Sequence, residues 1–135
     1  MSGTILIDTH IFLWVLGGRK LSKVTKDFFA DRRENRFVFS DASAWEISIK
    51  FGNGKLELPD VPEIFVPDRV RKSGFSHLSI ELQHVLKVHS LPQIHRDPFD
   101  RLLISQAKVE DLTILTADPI FFKYPIKVMD FSDIC

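Results

Sequence analysis

Residues 4–8 read Thr4-Ile5-Leu6-Ile7-Asp8, a short apolar run rich in β-branched side chains that stops at an acid. The run lacks polar alternation, which predicts a strand buried on both faces, as in a parallel sheet covered by helices. A helix is expected to open at Thr9. Outward from this stretch, further short strands are expected at Phe37-Val38-Phe39, Phe75-Ser76-His77-Leu78, Thr113-Ile114-Leu115-Thr116 and Lys127 to Phe131.

Helical patterns fill much of the space between them. Residues 22–34 open on Ser22 and carry Val24, Phe28 and Phe29 near helical spacing, with charges between. Ser40 or Asp41 caps a second helix that runs to about Phe51, where Gly52-Asn53-Gly54 ends it. Glu81 to His89 reads as helical, and Asp97-Pro98 opens a strong helix to about Val109, with Asp97 as N-cap and proline at the first position. Pro59, Pro62 and Pro67 punctuate residues 56–67, a basic stretch follows at 68–73, and no helix is assigned there.

Strands alternating with helices predict an α/β fold: a three-layer α/β/α sandwich around a central parallel sheet of four to five strands, with right-handed crossovers. The chain of 135 residues is expected to form a single domain over residues 1–135. Ligands in such folds bind at the carboxyl ends of the strands.

Composition narrows the function. Hydrophobic residues make up 44% of the chain and charged residues 27%, enough apolar material for a core and too much for a disordered chain. Eighteen basic residues balance eighteen acidic ones, so any nucleic-acid contact must come from a local patch. The one cysteine, Cys135, supports neither an internal disulfide nor a cysteine-based metal site. No apolar run approaches the roughly 18 residues of a membrane span, and no export signal is recognised, so a soluble cytoplasmic protein is expected.

The acids carry the chemical signal. Asp8 ends the first strand, and Asp118 follows the fourth within Thr116-Ala117-Asp118, so both should emerge at one sheet edge. Either one alone reads equally well as a helix cap. Glu46 falls in a stripe with Ala42, Trp45 and Ile49, and Asp100 in a stripe with Leu103, Ile104 and Ala107, placing both carboxylates on apolar helix faces. A buried unpaired charge costs several kcal/mol unless it has a partner. Asp97 is the better cap and Asp100 the better ligand, with Asp97 kept as a further candidate. Four carboxylates from different elements suit a hard cation, Mg²⁺ or Mn²⁺, and such a centre can activate water against a phosphodiester.

The stretches that hold these acids resemble the PIN-domain family, and within it the VapC-type toxins. They are Ile7 to Trp14 (IDTHIFLW), Ala42 to Lys50 (ASAWEISIK), His95 to Ala107 (HRDPFDRLLISQA) and Leu115 to Phe121 (LTADPIF), in the family's order and spacing. The resemblance implies a metal-dependent endoribonuclease that hydrolyses RNA with Mg²⁺ or Mn²⁺, a homodimer, and a small antitoxin that blocks the site. It matches Asp8, Glu46, Asp100 and Asp118 to the family's four carboxylates and leaves open whether Asp97 touches metal. Thr9 and Thr116, beside these acids, are expected to orient them or a water. Arg96 and Arg101 flank the acids of the third motif and are the best candidates to grip RNA phosphate, ahead of Lys50, Lys55, Arg69, Arg71 and Lys72.

Other readings fit less well. The histidines show no i, i+4 helical pair, which disfavours a histidine-based zinc site. Trp14 and Trp45 are expected in the core or at a dimer interface. A receiver domain needs an acidic pair after the first strand, and a haloacid-dehalogenase phosphatase needs Asp-x-Asp; Asp8-Thr9-His10 offers neither. The remaining alternatives are a PIN-type RNA-processing nuclease without an antitoxin and a non-catalytic PIN-like domain that binds RNA or protein.

Overall fold

A computed structural model describes residues 3–16 and 21–135. Five strands form one parallel sheet in the order β3-β2-β1-β4-β5: β1 (Gly3–Ile7), β2 (Asn35–Ser40), β3 (Ser76–Leu78), β4 (Thr113–Thr116) and β5 (Lys127–Asp130). β1 lies at the centre, with Leu6 beside Val38 of β2 and Ile114 of β4. Ile5, Leu6 and Ile7 are buried, as expected of a strand covered on both faces.

The two faces carry separate cores. Ile5, Ile7, Phe37 and Phe39 pack with Ile11 and Phe12 of α1 (Thr9–Leu16), Phe29 of α2 (Lys23–Ala30), and Phe65 and Val66 of α4 (Pro62–Ser73). Leu6, Val38 and Ile114 pack with Leu102, Leu103 and Ile104 of α6 (Pro98–Glu110) on the other face. Helix α3 (Asp41–Gly52) contributes to both cores, placing Ala42 in one and Ile47 in the other. The acid it carries therefore lies near the carboxyl edge of the sheet, where β2 ends at Ser40. Helix α5 (Leu82–Lys87) packs against α6.

The middle of the chain departs from the sequence expectation. Residues 62–73 form α4, with Pro62 in its first turn and Pro67 inside it. Pro62 sits where its missing N–H costs nothing, whereas Pro67, in the second turn, leaves the Glu63 carbonyl without its i→i−4 donor. The basic run at its end is largely absorbed by Asp68, which pairs with Arg69, Arg71 and Lys72. Gly74 closes the helix at φ 74°, a left-handed conformation that glycine adopts without penalty.

The stripe predicted on α3 is also displaced. Trp45 and Ile49 are exposed, whereas Ala42, Ser43, Glu46 and Ile47 are buried. The sequence stripe was centred on the largest apolar side chains, but packing selected the face one residue around. Neither tryptophan is a core residue: Trp14 stacks on Phe131 at 5.2 Å and is 37% exposed, and Trp45 meets Phe99 edge-on at 4.8 Å and is 51% exposed.

Candidate metal centre

Each acid reaches the carboxyl edge of the sheet for a local reason. Asp8 follows β1, and its backbone N–H donates to the Leu115 carbonyl, which extends the β1–β4 pairing to the acid itself. Its carboxylate is 2% exposed, and Thr116 Oγ1 donates to Oδ2 at 2.7 Å. The same Thr116 Oγ1 accepts from the Asp118 N–H, tying the acid after β4 to the acid after β1. Asp118 is the most open of the group and accepts from the Ile120 N–H through Oδ1. Thr9 supports Asp8 through its backbone N–H, while its hydroxyl donates to Ser43 Oγ and joins α1 to α3.

Glu46 is 2% exposed, and Lys50, one turn on, donates to Oε2 at 2.6 Å. That bond is the main reason the Lys50 ammonium is held above its usual range; the Asp97 and Asp100 charges act in the same direction. Lys50 is thus engaged with the acids as an i, i+4 partner of Glu46.

Asp97 and Asp100 divide the first turn of α6 between them. Asp97 is the N-cap, its Oδ1 accepting from the N–H groups of Phe99 and Asp100. Asp100 is buried, and burial first, then the Asp8, Asp97, Glu46 and Asp118 charges, push its carboxyl up to about 8. Burial likewise raises Asp8 above the ordinary carboxylate range. Like charges held together in a low-dielectric site cannot all ionise unless a cation compensates them.

The sequence reading missed His95, for which no helical periodicity gave a signal. Its Nε2 lies 2.7 Å from Asp100 Oδ2 and 3.8 Å from Asp118 Oδ2. His95, Asp100 and Asp118 each offer one ligand atom within 4.8 Å of the others. Asp8 Oδ1 and Glu46 Oε1 are buried and have no hydrogen-bond donor among the described residues. Orphaned carboxylate oxygens next to a carboxyl that burial keeps protonated fit a divalent cation with oxygen ligands.

The arginines of the third motif have different fates. Arg96 is exposed at the mouth of the α6 N-terminus. Arg101, expected to grip phosphate, is instead buried, and its guanidinium donates to the Pro92 and Val88 carbonyls at 2.8 and 3.0 Å. It points away from the acids because α6 turns about 100° per residue, and the loop before the helix supplies carbonyls there. Arg101→Met is expected to cost about 2–4 kcal/mol of stability by leaving those carbonyls unpaired. Urea unfolding measures this, and a variant as stable as the wild type would contradict the assignment.

The fold and this site define a parallel α/β domain with an acidic centre at the carboxyl edge of its sheet. The PIN domain family model matches residues 5–127, and the chain belongs to that family. Ribonuclease VapC16 of Mycobacterium tuberculosis is 46% identical over 50 residues; the match covers 37% of this chain and only 36% of that relative's length. The fold is similar to the VapBC2 structure from Rickettsia felis bound to a DNA fragment from its promoter, with TM-score 0.72, 14% identity, and 94% and 98% of the two chains covered. It is also similar to DNA-bound VapBC from Salmonella typhimurium, with TM-score 0.68, 17% identity, and 97% and 99% covered.

Proposed function

We propose that this protein is an endoribonuclease dependent on Mg²⁺ or Mn²⁺, the toxin of a VapBC-type toxin–antitoxin pair. The observation that carries the proposal is the acid cluster, in which buried Asp8 and Glu46 each keep an oxygen without a donor beside the raised Asp100 carboxyl. A purely structural cluster would have its lone pairs satisfied, because each unsatisfied buried acceptor is costly.

Asp8, Asp100 and Asp118 would hold the cation, with Glu46 completing the acidic wall and Asp97 capping the helix that presents Asp100. When bound, the ion supplies the positive charge that a phosphodiester and its leaving oxygen need, and it makes water a better nucleophile. Thr116 fixes the Asp8 carboxylate through its hydroxyl and Asp118 through the backbone. Lys50 donates to Glu46 Oε2 and fixes its position. Arg96, exposed and two residues before α6, would contact an RNA phosphate.

Partners follow from the family likeness: an RNA substrate, a small antitoxin, and a second copy of the chain. Among the described residues no helix is long and apolar enough to cross a membrane. Purified protein given total RNA with Mn²⁺ is expected to make discrete cuts that vanish in EDTA and in Glu46→Gln. Expression without an antitoxin is expected to arrest growth, and co-expression of the cognate antitoxin to restore it. Persistent cutting in EDTA would overturn the metal dependence, and unimpaired growth would favour an RNA-processing nuclease.

A further inference from the structure

The four acids differ in who supports them. Thr116 donates to Asp8, Lys50 to Glu46, and the Ile120 N–H to Asp118. No hydrogen bond among the described residues reaches the Asp100 carboxylate, although burial and four neighbouring acids oppose its ionisation. Among the described residues, the one cationic or N–H-bearing side chain within ion-pair range of it is His95, 2.7 Å from Oδ2.

The His95 ring is held from several directions. Its backbone N–H donates to Tyr124 Oη at 2.7 Å, and its ring stands edge-on to Phe121, 6.2 Å between centroids and 88° between planes. Nδ1 accepts from the Asp97 N–H at 3.3 Å, which places the ring proton of the neutral tautomer on Nε2. That N–H is left facing Asp100 and Asp118. Nε2 is buried and has no aligned hydrogen-bond partner, so the contact with Asp100 is close in distance but bent in angle. Such contacts commonly tighten when a site is loaded.

We infer that His95 is the positioning residue for Asp100, donating from Nε2 to hold that carboxylate in place for the cation rather than ligating the ion itself. The inference rests on the metal-site reading above. A ligand role would need a bare Nε2 and a proton on Nδ1, where the Asp97 N–H already points. Donors to ligating carboxylates typically contribute 10- to 100-fold to metal affinity.

The test is Mn²⁺ affinity by titration calorimetry or electron paramagnetic resonance, at one pH, for wild type, His95→Leu and His95→Gln, with melts in EDTA as a check on folding. His95→Leu is expected to weaken Mn²⁺ by about 10- to 100-fold. His95→Gln, whose amide N–H₂ reaches a place near that of Nε2, is expected to recover most of the loss. Wild-type affinity in His95→Leu overturns the inference, and so does a directly coordinated nitrogen in the spin-echo spectrum of wild-type Mn²⁺ protein. If His95→Leu fails to fold, an unrescued loss in a folded His95→Gln variant also overturns it. Wild-type protein that binds no Mn²⁺ removes the proposed function itself, whereas wild-type binding with an unaffected His95→Leu removes only the role of His95.

Discussion

Asp100→Asn is expected to lower RNA cleavage by about 10²–10³-fold or more while making the metal-free protein more stable. Both effects come from the same burial. In the metal-free protein Asp100 carries a proton up to about pH 8, whereas an unfolded Asp ionises near 3.8. Between these values the folded state binds more protons than the unfolded state, so stability falls as pH rises through this window and levels off above about 8. Asparagine is isosteric and has no proton to take up. The gain should be absent near pH 4 and grow to about 2 kcal/mol or more at neutral pH, a rise in Tm of roughly 5–10 °C for a chain of this size. Melts in EDTA from pH 4 to 8, beside cleavage assays in Mn²⁺, check both halves. A variant less stable than wild type at pH 7 would show that Asp100 has a structural partner stronger than the burial that opposes it.

Metal affinity should follow the same proton. A cation that uses the Asp100 carboxylate must displace the proton held up to about pH 8, so the apparent affinity is expected to rise about tenfold per pH unit from 6 to 8 and then flatten. Over that window the change approaches 100-fold, and calorimetry in buffers of different ionisation enthalpy should record about one proton released per ion bound at pH 6–7. An affinity that is flat across pH 6–8 would mean that Asp100 is either ionised without metal or not a ligand.

Much of the site was legible because its acids lie where local pattern fixes position. A strand that ends at Asp8 must present that residue at the sheet edge, and Thr116-Ala117-Asp118 does the same after β4. Asp100 was legible as an acid on the apolar side of α6, where Leu103, Ile104 and Ala107 are indeed buried. Glu46 was placed inward, but its stripe was centred on Trp45 and Ile49, which the structure exposes. An aromatic residue beside a charge dominates any hydrophobicity pattern, while burial depends on which face meets two cores at once. Helix α4 was lost to its prolines, since pattern alone could not show that Pro62 starts a helix and that Pro67 is tolerated within it.

The sequence by itself determined the order of the five strands and of the helices other than α4, the inward acids and the family resemblance. These depend on periodicity and spacing along a chain whose local geometry is restricted. Tertiary structure alone decided the rest. It brought His95 beside Asp100 through Tyr124, Phe121 and the Asp97 backbone, and it turned Arg101 away to the carbonyls of Val88 and Pro92. The physical reason is that these contacts join a loop, a helix start and the segment after β4, and the direction in which a loop points a side chain is set by what packs against it.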